Sequence, residues 1–244
     1  MSSSNPLTLY QFPISHYCEK VRWALDYKQL AYQTRAWLPG LHLKLAKKLS
    51  EQTSVPILQH GEQVVAHSAQ IISYLDERFP EKLLTPVDPV LQQAALQWEQ
   101  WADQQIGPHV RRVCYAPLLS RPDLLIPILS QQGPWYGGLL LKIGFKKFAS
   151  QLRYFLKINP QSVEESRIIL TASIERVNQE RRGEFLLGNQ FTRADIAVAA
   201  LLAPLCMPKE YGVVWPEAEK VGEWMPEFAQ QLQWLPGFYQ RHRL

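Results

Sequence analysis

Hydrophobic and polar positions change their period several times along the chain, and those changes set the order of elements. Residues 7–12, LTLYQF, are a short apolar run suited to a buried strand and are ended by Pro13. From Ser15 or His16 the period becomes helical. Val21, Trp23, Ala24 and Leu25 are interleaved with Glu19, Lys20, Arg22 and Asp26, which predicts a helix with a charged face. Residues 31–37 alternate and predict a second strand. Leu41, Leu45 and Leu49 recur among Lys44, Lys47 and Lys48, the pattern of a short basic helix. Residues 55–58 and 64–66 are two apolar runs around a His60-Gly61 turn, a hairpin signature. Pro56 belongs at the start of its strand, where a missing N–H breaks no ladder. Ser68 is placed to cap a helix running toward Phe79. A crossover followed by a hairpin implies a mixed sheet with helices on its faces.

From residue 80 the period is lost and prolines accumulate, so a linker is expected at residues 82–88, between a first domain at 1–81 and a second at 89–244. Asp88-Pro89 reads as an N-cap with proline at the first helical position. Everything beyond reads as helix. Leu91, Ala94, Ala95, Trp98, Trp101 and Ala102 share one face, and Pro108 is expected to break that helix before Val110 resumes it. Residues 124–163 hold five Lys or Arg and no acid, with Leu141, Phe145, Phe148, Leu152 and Phe155 on one helical face. Such a helix either packs on its own core or lies on an anionic membrane. Packing is expected, with membrane association through residues 139–157 as the alternative. Residues 164–182 predict another long helix. Thr192 and Asp195 have capping-box spacing, flanked by Phe191 and Ile196 as a hydrophobic staple, which makes Asp195 a folding determinant. Residues 196–205 are apolar all round and belong at the centre of the second domain. Trp215, Trp224, Phe228 and Trp234 are expected to pack across its outside. The fold class is therefore α+β in two domains, βαβαββα followed by all-α.

Composition narrows the function more than the fold. The 244 residues are 46% apolar, with no long uncharged apolar run of the kind that spans a membrane. The start, MSSSNP, lacks the basic residues and apolar core of a signal peptide, so a cytoplasmic protein is expected. Three distant cysteines, Cys18, Cys114 and Cys206, suit a reducing compartment better than a disulfide framework. No Cys or His cluster has metal-ligand spacing, so no metal is expected. A net charge of +4 does not by itself suggest nucleic-acid binding.

Chemistry concentrates at the start of the first helix, where Ser15 and Cys18 stand. The unpaired N–H groups of a first turn carry about half a positive charge and attract thiolates and other anions. Taken alone, the pair also reads as a capping serine and a buried structural cysteine.

Set beside Val55-Pro56 before the third strand, His67-Ser68 at the third helix and Thr192-Arg193-Ala194-Asp195 further on, the Ser15-His16-Tyr17-Cys18 motif resembles the cytosolic glutathione transferase superfamily. The resemblance covers nearly the whole chain. It implies a thioredoxin-like N-terminal domain, an all-α C-terminal domain, usually a homodimer, and glutathione as co-substrate, bound between the domains. Ser15 aligns with a serine that donates a hydrogen bond to the glutathione sulfur. A free thiol titrates near ~8.5, and lowering that by about two units needs roughly 2.7 kcal/mol of thiolate stabilisation. Tyr10 and Tyr17 are alternative hydroxyls for that role. Cys18 stands where a glutaredoxin-type second cysteine would, which keeps open a thiol–disulfide or dehydroascorbate reductase. A non-catalytic binding or regulatory protein on the same fold is the other alternative. By the same resemblance, Val55 pairs its backbone with the cysteinyl part of glutathione, Pro56 is a cis-proline and Ser68 holds the γ-glutamyl carboxylate. His67 stands where the family commonly has Glu or Gln, and Ser54 where it often has Lys or Arg. A hydrophobic electrophile is expected against Trp101, Gln105, Arg111, Arg112 and Tyr115.

Overall fold

The computed structural model describes residues 6–181, 183–215 and 224–243. Its first part runs β1 (Leu7–Gln11), α1 (His16–Tyr27), β2 (Tyr32–Ala36), α2 (His42–Ser50), β3 (Ile57–His60), β4 (Gln63–Ala66) and α3 (Ser68–Arg78). The strands form one sheet in the order β2-β1-β3-β4, with β1 and β2 parallel and the other pairs antiparallel. The crossover through α1 makes the parallel pair, and the Gly61 turn makes the hairpin. The Val55-Pro56 peptide is cis.

Helices follow: α4 (Pro89–Gln105), α5 (Gly107–Leu118), α6 (Pro122–Ser130), α7 (Gly137–Phe155), α8 (Pro160–Glu180), α9 (Arg193–Leu202), a short α10 (Pro226–Ala229) and α11 (Trp234–His242). Asp88 caps α4 by accepting from the N–H groups of Val90 and Leu91 at 3.0 and 2.9 Å, with Pro89 opening the helix. The chain breaks at Ile106, and Pro108 lies in the first turn of α5, as its missing N–H requires. Between α3 and α4 the segment is held down. Asp76 accepts from the N–H groups of Leu84 and Thr85, and Leu84 is fully buried. Lys28 pairs with Asp76 at 2.8 Å.

Every residue of α9 is buried, and the helix packs against both α1 and α4. Its start carries the capping box. Asp195 accepts from the Thr192 N–H at 2.8 Å and also from the Leu186 N–H at 2.8 Å. One apolar core continues from the sheet through α1 and α9 to Phe238 and Tyr239 of α11. That continuity buries the charges of α1 and overturns the expectation of an outer layer of C-terminal aromatics. The charged face of α1 is not solvated, for Glu19, Lys20 and Arg22 are buried. Arg22 pairs with Glu19 at 2.6 Å, and Arg243 closes on Glu19 and Asp26. The C-terminal aromatics are not an outer layer either. Trp215 and Phe228 belong to the core, and Tyr239 packs on the Trp23 ring at 4.5 Å.

A second, smaller cluster joins α5, α6 and α7. Leu141 of α7 is buried in it, with Phe145, Phe148 and Leu152 packed alongside. Phe155, expected on the same face, is 71% exposed because the helix ends there and the next residues turn away into α8. Lys142, Lys146 and Lys147 are exposed, and Leu139 and Ile143 share the solvent side with them. Among the described residues no helix is long and apolar enough to cross a membrane.

Candidate functional site

Strand register gathers the sequence-predicted residues. Tyr10 lies opposite Ile57 and Ile57 opposite Ala66, while Gln11 stands beside Ala36. The end of β1, the start of β3 and the end of β4 therefore share one edge of the sheet. Just beyond that edge come Ser15, the Val55-Pro56 pair and His67-Ser68.

Ser15 caps α1 from an extended conformation, and its Oγ accepts from the Cys18 N–H at 3.4 Å. The loop before it is anchored from both sides. Arg22 donates to the Gln11 side chain at 2.6 Å and to the Pro13 carbonyl at 3.0 Å. The Tyr211 hydroxyl donates to the Ile14 carbonyl at 2.8 Å. A serine hydroxyl that remains partly accessible on an anchored helix start can donate to an anion placed over that turn.

The other hydroxyl candidates are engaged. Tyr10 donates to the Gln59 side chain at 2.9 Å and lies against Trp37 on the sheet. Tyr17 donates to the Asp103 carbonyl at 2.8 Å, and burial pushes its phenol up to about 12. A Cβ at Gly107 would meet the Tyr17 oxygen at 2.1 Å, so the break between α4 and α5 needs glycine to seat that ring. Cys18 is fully buried, and burial raises its thiol above the usual value despite the Ser15 hydrogen bond. A protonated thiol without access to solvent is a poor nucleophile.

His67 sits at φ +67, a region a non-glycine residue occupies at a cost of about 1–3 kcal/mol, and such positions cluster where ligands bind. Its side chain is exposed and does not cap α3. Ser68 behind it is buried at the first position of α3. The first turn of α3 thus presents N–H groups without a side-chain cap, a second place suited to an anion.

Sequence reasoning missed the charges that lock this region. Lys20 reaches Glu99 at 3.1 Å and Asp103 at 2.6 Å, while Arg193 meets Glu99 at 2.6 Å. Arg193 also donates to Ser73 and Thr85 at 3.0 Å and to the Ala69 carbonyl at 2.7 Å. The network ties α1, α3, α4 and α9 together behind the two helix starts. The sequence reading assigned no partner to any of them. The one available signal was Arg193 at the start of an otherwise uncharged apolar run apart from its capping Asp195.

The residues expected to face an electrophile separate. Arg111 and Tyr115 of α5 line a cavity of about 30 Å³ together with Ile14 and His16. Burial, then Arg111 and Lys20, holds the His16 imidazole well below its usual value, so it is neutral. Burial also pushes the Tyr115 phenol up to about 12. Arg112 turns elsewhere and donates to the Leu156 carbonyl at 3.0 Å and to Ser166 at 2.7 Å. Trp101 packs edge-on to Trp98 under the Arg176 guanidinium from α8, 4.4 Å from its ring centre. Gln105 ends α4 as an exposed residue. The structure does not bring these three to the cavity, because Trp101 and Arg112 face α8 and Gln105 faces solvent. Among the described residues no group of His, Cys, Asp and Glu is arranged to hold a metal.

Comparison with known proteins bears on the same region. Residues 9–83 match the family of the glutathione S-transferase N-terminal domain. Glutathione S-transferase 1 of Dianthus caryophyllus is 40% identical over 101 residues, which is 40% of this chain and 45% of that protein. A stringent starvation protein A homolog of Pasteurella multocida is 36% identical over 84 residues, 34% of this chain and 40% of that protein. The chain thus matches less than half the length of either curated relative. Over its whole length it shares a fold with glutathione transferase GSTFuA3 from Phanerochaete chrysosporium, at a TM-score of 0.64 and 18% identity over 99% of both chains. Residues 9–83 thus match the glutathione S-transferase N-terminal domain, and the chain as a whole shares the glutathione transferase fold.

Proposed function

We propose that the protein is a glutathione transferase that activates the glutathione thiol and conjugates it to a small electrophile. The observation that carries this reading is the register that sets Ser15, Val55-Pro56 and Ser68 at one edge of the sheet. In this reading the Ser15 hydroxyl and the positive end of α1 stabilise the glutathione thiolate. Lowering a thiol pKa by about two units needs roughly 2.7 kcal/mol, within reach of a charge-assisted hydrogen bond added to a helix field. Val55 offers its backbone to the peptide, and the first turn of α3 with Ser68 takes a carboxylate. Tyr10 and Tyr17 stand aside, since both hydroxyls already donate within the protein. The burial of Cys18 speaks against the reductase alternative. A homodimer, a role in detoxification and a cytoplasmic location go with this reading.

Retention on immobilised glutathione and conjugation of a chloronitrobenzene test it together. Ser15→Ala should lower the conjugation rate ten- to a thousandfold, about 1.4–4 kcal/mol of barrier. Retention without conjugation would identify a binding protein, and failure of both would remove glutathione from the account.

A further inference from the structure

Buried cations in this fold come with their carboxylates. Lys20 has Glu99 and Asp103, Arg22 has Glu19, Lys28 has Asp76 and Arg193 has Glu99. Arg111, half-buried on α5, has no such carboxylate among the described residues. Among the described residues it has neither an ion-pair partner nor a hydrogen bond, and its Nε is shut off from solvent. Its guanidinium lies 5.7 Å from the centre of the Tyr17 ring, an attraction that satisfies no N–H.

Next to it, His16 is 3% exposed and its Nε2 has no partner. Both residues line the cavity of about 30 Å³, whose described walls carry no acidic residue. Leaving the buried guanidinium Nε and a buried ring nitrogen unpaired is costly, and that penalty is relieved when an anion with hydrogen-bond acceptors enters. Position matters as much as charge. Ile14 and His16, the two neighbours of Ser15 in the chain, both form the cavity wall.

On the reading that Ser15 activates glutathione, we propose that this cavity is a carboxylate subsite and that the electrophile is a small acid. Arg111 pairs with the carboxylate, and His16 Nε2–H and the Tyr115 hydroxyl are the neighbouring donors. The volume supports a small planar anionic group, since about 10–15 Å³ of such space already admits a water. Guanidinium geometry matches the two oxygens of a carboxylate. The rest of the substrate then extends toward Ser15, where the sulfur is expected. A hydrophobic electrophile, the sequence-based expectation, leaves the guanidinium unpaired.

Two measurements on the full chain decide it. The first needs no glutathione: tryptophan fluorescence, reported by Trp215 and Trp224 in the cavity wall, is titrated with propionate and with propionamide at constant ionic strength. Propionate should bind and propionamide should not. Arg111→Gln should weaken propionate roughly ten- to a hundredfold, the range for a hydrogen-bonded charge, with Arg111→Lys in between. Lys142→Gln, on the exposed side of α7, should match the wild type.

The second compares iodoacetate with iodoacetamide, each rate divided by its uncatalysed rate with glutathione. In both, the thiolate sulfur bonds the methylene carbon as the C–I bond breaks, and iodide leaves with the electron pair. The wild type should favour iodoacetate, and Arg111→Gln should move the ratio toward one by a similar factor. Propionate binding without any conjugation would keep the subsite and discard the transferase reading. Conjugation of both reagents with a ratio indifferent to Arg111, or equal binding of propionate and propionamide, would overturn the subsite.

Discussion

Replacing Asp195 with alanine isolates what the capping box contributes. The carboxylate is 3% exposed and accepts from the Leu186 and Thr192 N–H groups, each at 2.8 Å, and from the Thr192 hydroxyl at 3.0 Å. Alanine leaves two buried N–H groups without an acceptor, at about 1–3 kcal/mol each. Relief from burying a carboxylate offsets part of this, so a loss of about 2–4 kcal/mol at pH 7 is expected. For a chain of this size that is roughly 5–15 °C in Tm.

The pH dependence sharpens the test. Burial raises the Asp195 carboxyl from its usual 3.8 to about 6, against the pull of the hydrogen bonds from Leu186 and Thr192. The folded state therefore holds this proton more tightly than the unfolded chain. The group's contribution falls as pH rises from about 4 to about 6, and it is recovered on acidification. Between pH 7 and pH 5 the wild type should gain about 1.4 kcal/mol over Asp195→Ala. Paired urea denaturations at the two pH values measure that gap. A gap that stays constant or narrows on acidification would refute the reasoning, as would an alanine variant of full stability. The folded fraction should keep wild-type affinity for glutathione, since Asp195 lies in the capping segment and not at the sheet edge.

The remaining expectations are shorter. Phe148 packs on the α5–α6–α7 cluster while remaining partly exposed, so Phe148→Ala should cost about 2–3 kcal/mol by urea denaturation, below the 3–5 of a fully buried ring. Ile143→Glu, on a position 76% exposed, should stay within about 0.5 kcal/mol, and the reverse ranking would mean α7 packs by its other face. Gly107→Ala drives a methyl into the Tyr17 ring and should lower stability by about 1–3 kcal/mol, with Tyr17→Phe in the same chain recovering part of it. If the two effects simply add, the close approach does not exist. Cys18 and Cys114, both buried, should resist Ellman's reagent in the native protein and react on unfolding. Rapid labelling of native Cys18 would restore the reductase reading.

Much of the fold was legible because local signals agreed. The apolar runs at residues 7–12, 55–58 and 64–66, the Gly61 turn, the Asp88-Pro89 cap and the Thr192–Asp195 box each act over a few residues, so each survives without knowledge of its neighbours. Ser15 was legible for the same reason, as the cap of α1, whereas Ser68, expected to cap α3, is its first helical residue, with His67 at the cap position and no side-chain cap there. What the sequence could not decide was which faces meet other parts of the chain. The sequence marks a charged face on α1 but not its partners: Glu99 and Asp103 of α4 pair with Lys20, and Arg243, just after α11, pairs with Glu19 and Asp26. Trp101 and Arg112 read as site residues, yet the turn between α4 and α5 at Gly107 sends them toward α8. Arg111, one residue from Arg112, turns the other way into the cavity beside His16. A helix advances about 100° per residue, so neighbouring positions face different partners, and only the packing of α1, α5 and the C-terminal segment decides which of two adjacent arginines is paired and which is left for a ligand.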